Sequence, residues 1–148
     1  MEKKTIILRH KKENLKKCSL RGLEKRDDLI FFTYPKEITF KLDGYVLLSQ
    51  DGEDLKKEDQ NKGLFLIDST WRYLEKIMKI IPINIEKRSI PKNYKTAYPR
   101  YQSDCQDPET GLASIEALYI AFKILNKNSD NLLDNYHWRE KFLEMNNL

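Results

Sequence analysis

Leu64-Phe65-Leu66-Ile67-Asp68-Ser69-Thr70-Trp71 runs from four apolar residues through a polar tripeptide to an aromatic ring. A short, unbroken apolar run of this kind suits a strand buried on both faces. Trp71, Leu74, Ile77 and Met78 then recur at helical spacing, and Asp68 or Ser69 is a good N-cap for the helix they predict. That helix should stop near Ile80, ahead of Pro82. Asp68 therefore falls at the carboxyl end of a strand, the position where open α/β sheets bind their ligands.

The rest of the chain reads outward from this unit. Thr5–Leu8, Leu29–Thr33 and Tyr45–Leu48 are three more apolar runs with strand character. The stretch from Asp51 to Gly63 is crowded with charge and reads as a polar loop. From Ile81 to Gly111, prolines at 82, 91, 99 and 108 break up any periodicity, so a loop-rich segment with one or two short strands is expected. Gly111 opens a second helix whose apolar face is Leu112, Ile115, Leu118, Tyr119, Phe122 and Leu125. A last helix is predicted from about Leu132 to Met145, with Leu133, Tyr136, Phe142 and Leu143 facing inward. Strands alternating with helices over 148 residues predict one α/β domain, residues 1–148, with a mostly parallel sheet flanked by helices.

Composition narrows the chemistry. The hydrophobic share of 40% and the charged share of 34% are those of a globular chain, not of a disordered one. No apolar run approaches the length of a membrane span, and the one at Thr5–Leu8 is too short for a signal-peptide core. A cytoplasmic protein without a membrane partner is the expectation. Cys18 and Cys105 stand far apart, outside any metal-type spacing, and the histidines are only His10 and His137. No metal site is expected, and a Ser-His-Asp triad is poorly supplied. The net charge of +4 permits an RNA partner without requiring one. One basic stretch runs from His10 to Lys17, and another holds Lys87, Arg88, Lys92, Lys95 and Arg100, interleaved with Tyr94, Tyr98 and Tyr101. Charge runs are usually solvated faces, but aromatics among cations are also what base stacking and phosphate contact use.

The Asp68-Ser-Thr-Trp71 element resembles the Asp-x-x-Trp signature of the DTW-domain and small-subunit rRNA aminocarboxypropyltransferase superfamily, which has a SPOUT-like knotted fold. Other segments resemble that family in the same order. His10-Lys-Lys-Glu-Asn-Leu-Lys-Lys-Cys-Ser19 is similar to its Asp-Pro-Lys-Lys-Cys-Thr segment, and Arg88-Ser-Ile-Pro91 to its Arg-x-Leu-Pro stretch. Leu112-Ala-Ser-Ile-Glu-Ala-Leu-Tyr119 is similar to its Leu-Ser-Thr-x-Glu-Ala helix start. Tyr136-His-Trp138, Phe142-Leu143 and Asn146 resemble its ending, with Arg139 in place of a glycine. The family's Ala-Asn-Pro-x-Asn-Tyr-Gly loop is missing. Thr96-Ala-Tyr-Pro-Arg-Tyr101 stands there instead, followed by an inserted-looking Gln102–Thr110.

The resemblance implies a SPOUT-like domain with a C-terminal trefoil knot and S-adenosylmethionine as cofactor. The implied reaction is transfer of a 3-amino-3-carboxypropyl group to a uridine-type base in ribosomal RNA or tRNA. Asp68 would be the catalytic carboxylate. Ser19, Trp71, Leu112 and Ser114 would line the cofactor pocket, and Lys16, Lys17, Lys92, Lys95 and Arg100 would face RNA. Each residue also has a plainer reading: Asp68 as a helix cap, Trp71 as core, Ser114 and Glu116 as first-turn helix residues, and Trp138 and Phe142 as core. Two other functions share the fold. A SPOUT methyltransferase would present the methyl group instead of the arm. A non-catalytic RNA-binding or ribosome-assembly factor would fit the altered loop. A dimer or a protein partner would enlarge the RNA-gripping surface of so short a chain.

Overall fold

The computed structural model describes residues 3–11, 20–35, 41–69, 71–82, 84–98 and 112–148, with Trp71 and Arg72 described by their backbone alone. Five strands form one sheet: β1 (Thr5–His10), β2 (Leu29–Tyr34), β3 (Tyr45–Asp54), β4 (Gly63–Asp68) and β5 (Glu86–Ser89). Their order across the sheet is β2-β1-β4-β3-β5, and every pairing is parallel. Among the described residues the α-helices are α1 (Trp71–Met78), α2 (Ser114–Ile124) and α3 (Arg139–Met145). The four apolar runs of the sequence are thus strands, and the expected α/β class and parallel sheet hold.

Alternation along the strands divides the interior in two. Ile7, Val46, Leu64 and Leu66 point to the face covered by α2 and α3, where they meet Ile115, Leu118, Phe122 and Phe142. Ile6, Leu8, Leu47 and Phe65 point to the other face, against Ile77 and Ile81. α2 is apolar nearly all round, as a helix at the centre of a layer must be. α1 is covered less completely. Ile77 is buried, whereas Leu74, expected to face inward, is exposed, as is Ile80. Past Met78 the chain tightens into single turns, Ile80 N–H to Ile77 O and Ile81 N–H to Met78 O, before Pro82 ends them.

Two boundaries differ from expectation. β3 continues through Asp54, into the stretch read as a loop, and pairs Glu53 and Asp54 with Arg88 and Ser89 after a break in register beyond Leu48. Gly52 makes this possible: a Cβ there would lie 2.5 Å from the carbonyl carbon of Lys87. Its carbonyl instead accepts a 3.1 Å bond from the Ser89 hydroxyl. The last helix begins at Arg139, not near Leu132. Asn131 adopts a φ of 63°, and Asn128 Oδ1 accepts from the Asp130 N–H at 3.0 Å, so short polar side chains divert the backbone from helix. Arg26 fixes the resulting turn by donating to the carbonyls of Asn128 (2.9 Å) and Asp130 (2.8 Å). Leu132, Leu133 and Tyr136 are still buried, so the inward pattern survives without the helix.

The direction of the crossovers locates the crevice. From β1 the chain steps outward to β2, placing Leu20 and Leu23 in the α2–α3 core. From β4 it steps the other way, past β3 to β5, placing Ile77 and Ile81 in the opposite core. Right-handed connections that leave in opposite directions must cover opposite faces. The chain therefore parts at the carboxyl ends of the neighbours β1 and β4, a topological switch point. The path on which a C-terminal knot would turn includes residues 99–111, outside the described residues.

Asp59, in a single 3-10 turn between β3 and β4 (Lys57–Asn61), ties that connection to β5. Its carboxylate accepts from the Lys56 N–H (3.1 Å) and Lys62 Nζ (3.1 Å) and pairs with Arg88 Nε (3.3 Å). Burial alone would raise its pKa, but the hydrogen bonds and the charges of Arg88 and Lys62 outweigh it and hold the group below the ordinary aspartate value. A lowered folded pKa means stability that is present above the unfolded value of about 3.9 and lost as pH falls through the folded one. Asp59→Asn is expected to cost about 1–3 kcal/mol in urea unfolding at pH 7, with the gap to the wild type closing below about pH 4. A gap that does not change with pH would contradict this assignment.

Candidate active site

Arg9 and Asp68 are register partners at the carboxyl ends of β1 and β4. Both point to the face covered by α2, because they sit in alternation with Ile7 and Leu66. Asp68 is 8% exposed. Its Oδ1 accepts a 2.8 Å hydrogen bond from the Ser114 hydroxyl, which comes from the first residue of α2, 46 positions away. Its Oδ2 lies 3.7 Å from Arg9 Nε, an ion pair longer than a hydrogen bond. The Arg9 guanidinium stacks 4.3 Å over the Phe31 ring and donates from a terminal nitrogen to Glu24 Oε1 at 2.9 Å. Two carboxylates thus face one guanidinium among the described residues.

Ser114 is held in place from behind by Glu116. This side chain is fully buried, and both oxygens accept two bonds each. Oε1 takes the Thr96 hydroxyl (2.6 Å) and the Ala113 N–H (2.8 Å), and Oε2 takes the Ala97 N–H (2.8 Å) and the Tyr136 hydroxyl (2.9 Å). The Ala113 contact is half of a capping box; the reciprocal half cannot form because alanine has no side-chain acceptor. Asn146 at the end of α3 grips the same stretch, accepting from the Lys95 N–H (2.7 Å) and donating to the Lys95 carbonyl (2.8 Å).

Of the residues singled out from sequence, Asp68 and Ser114 come together directly. Leu112 is half-buried and packs against the α2–α3 core two residues before Ser114. Trp71 is the first residue of α1, and its side chain lies outside what is described. Ser19, Lys16, Lys17 and Arg100 also lie outside the described residues. Lys92 and Lys95 are exposed, on the segment gripped by Asn146. Tyr94 and Tyr98 pack against the core, and Tyr98 lies parallel to Tyr136 with centroids 6.5 Å apart, so these two rings serve the fold. Phe142 is core as expected, Trp138 is half-buried against it, and His137 is exposed. Among the described residues no cluster of His, Cys, Asp and Glu could hold a metal ion. No described helix is long and apolar enough to cross a membrane.

Sequence reasoning missed Arg9 and Glu24. The signal for Arg9 was its position: a charge that directly follows an apolar strand run lies at the carboxyl end, as Asp68 does. Glu24 carried no such signal, because only the fold brings its turn to β1.

No protein-family profile matches the chain, and no curated protein matches it. Among solved structures the chain is similar to the SAM-dependent rRNA:acp-transferase Tsr3 from Vulcanisaeta distributa, with a TM-score of 0.73 at 21% sequence identity. The match covers 99% of this chain and 80% of that one. The two chains share a fold.

Replacing one Glu116 oxygen by an amide turns an acceptor of two bonds into a donor facing two donors. Glu116→Gln is expected to lower stability by about 3 kcal/mol or more, read from urea unfolding. A loss under about 1 kcal/mol would show that the four bonds do not hold the start of α2.

Proposed function

We propose that this chain is an S-adenosylmethionine-dependent transferase that places a 3-amino-3-carboxypropyl group on a uridine-type base of ribosomal RNA. The observation that carries the reading is the Asp68–Ser114 bond at the switch point. Two residues that the sequence resemblance marks separately, 46 positions apart, meet where a parallel sheet presents its ligand site. A full-length likeness in fold to a SAM-dependent rRNA:acp-transferase supports it.

The residues suit the donor. Among the described residues the two carboxylates of Glu24 and Asp68 stand against the one guanidinium of Arg9, a balance that suits a sulfonium. When bound, the donor supplies a carbon made electrophilic by positive sulfur. Transfer of that carbon to the acceptor nitrogen would release methylthioadenosine as a neutral thioether, and Asp68 would take up the ring proton or pass it to water. Asp68 is held by Ser114 and Arg9 in one orientation, so the chain's main contribution is alignment of donor and acceptor. Trp71 would shield the methyl group, and Ser19 and Leu112 would complete the pocket. Lys16, Lys17, Lys92, Lys95 and Arg100 would contact phosphates.

The same reading includes the SPOUT-like knot, membership of the DTW-related superfamily, and a cytoplasmic site of action in ribosome biogenesis. A tRNA uridine is the second possible acceptor, and the oligomeric state is open to a dimer.

Calorimetric titration with S-adenosylmethionine tests the reading. The wild type is expected to bind. Ser114→Ala, which removes the hydrogen bond that orients the Asp68 carboxylate, should weaken binding about tenfold. No binding by folded protein, with and without RNA, would overturn the transferase reading in favour of a non-catalytic assembly factor.

A further inference from the structure

Among the described residues of the connection between β1 and β2, Glu24 reaches the candidate site through Arg9. Glu24 sits in a single 3-10 turn, Leu23–Lys25, and no hydrogen bond or ion pair joins it to Asp68 among the contacts described. Its Oε1 accepts from Arg9 at 2.9 Å, and its Oε2 accepts from the Gly22 N–H at 3.0 Å. Gly22 has a φ of +89°, and a Cβ there would lie 2.2 Å from the Asn135 side-chain amide, so only glycine gives this turn its shape. Glu24 is thus fixed at both oxygens although its side chain is 42% exposed. Burial pushes its pKa up, but the backbone N–H bonds and Arg9 outweigh that and leave it lowered.

Arg9 is constrained on three sides: the Phe31 ring lies beneath its plane, Glu24 holds one terminal nitrogen, and Asp68 lies beside Nε. A planar guanidinium pinned at a terminal nitrogen presents the neighbouring Nε of the same edge at a fixed angle to Asp68, 3.7 Å away, which a lysine ammonium could not do. We propose that Arg9 and Glu24 are positioning residues for Asp68: Glu24 fixes the guanidinium, and the guanidinium fixes the carboxylate that Ser114 holds from the other side. The relay rests on the transferase reading for its purpose. Its geometry stands on the ligand-free protein.

Because the Glu24 side chain is partly exposed, Glu24→Gln should fold as the wild type does, removing the charge while keeping the shape. Its transfer rate is expected to fall about fivefold with little change in KM for the RNA, and its melting temperature to move by no more than about 2 °C. Glu24→Asp, which keeps the charge on a shorter stem, should recover part of the rate. A ligand-free arm separates this proposal from the function it serves. In melting measurements on Glu24→Gln, Asp68→Asn and the double variant, the double shift should differ from the sum of the single shifts by more than about 2 °C. Additive shifts would overturn the relay whether or not the protein binds S-adenosylmethionine. Additivity together with an unchanged rate in Glu24→Gln would do so while leaving the transferase reading intact. Non-additivity in a protein that does not bind the donor would keep the relay and remove the transferase.

Discussion

Four hydrogen-bond donors from three parts of the chain's second half converge on the buried side chain of Glu116. Thr96 and Ala97 end the stretch after β5, Ala113 precedes α2, and Tyr136 lies in the turns before α3. A carboxylate accepts at both oxygens and donates nothing, so it suits four donors where an amide does not. The central helix is thereby fixed at its first turn, and the Ser114 hydroxyl is carried to Asp68. With Asn146 holding the backbone of Lys95, the two ends of the segment between β5 and α2 are tied to α2 and α3 beside the candidate site.

The site follows from topology as much as from those bonds. The connections from β1 and β4 leave in opposite directions and cover opposite faces, so the chain parts at the two carboxyl ends. The last inward-facing residues of both strands, Arg9 and Asp68, are left at the rim of the core. There the charged pair is sheltered enough to hold its geometry. The chemistry asked of such a site is mainly orientation, because the proposed donor carries its own electrophile.

The sheet was legible because its strands read as continuous apolar runs, with β1 and β4 at its centre buried on both faces: Thr5–Leu8, Leu29–Thr33, Tyr45–Leu48 and Leu64–Ile67 all appear as strands. The second half of β3 and most of β5 were hidden because they are polar. Their pairing depends on a close approach at Gly52 that no local pattern announces. The early start given to the last helix failed for a related reason, since Leu133 and Tyr136 keep an inward pattern while Asn131 breaks the backbone. Within the site, Asp68 was found from its position at a strand end as well as through resemblance, Ser114 was found through resemblance, and Arg9 could have been found from its position as Asp68 was. Glu24 could not, because its contact with Arg9 spans 15 residues that carry no periodic signal.

The central claim is that the site transfers the aminocarboxypropyl arm. The most direct measurement incubates the protein with ribosomal RNA and S-adenosylmethionine labelled separately in the carboxyl carbon and in the methyl carbon. The account predicts that the carboxyl label enters RNA and methylthioadenosine accumulates, with no methyl label transferred. Methyl label in RNA with release of S-adenosylhomocysteine would contradict it and make the protein a methyltransferase.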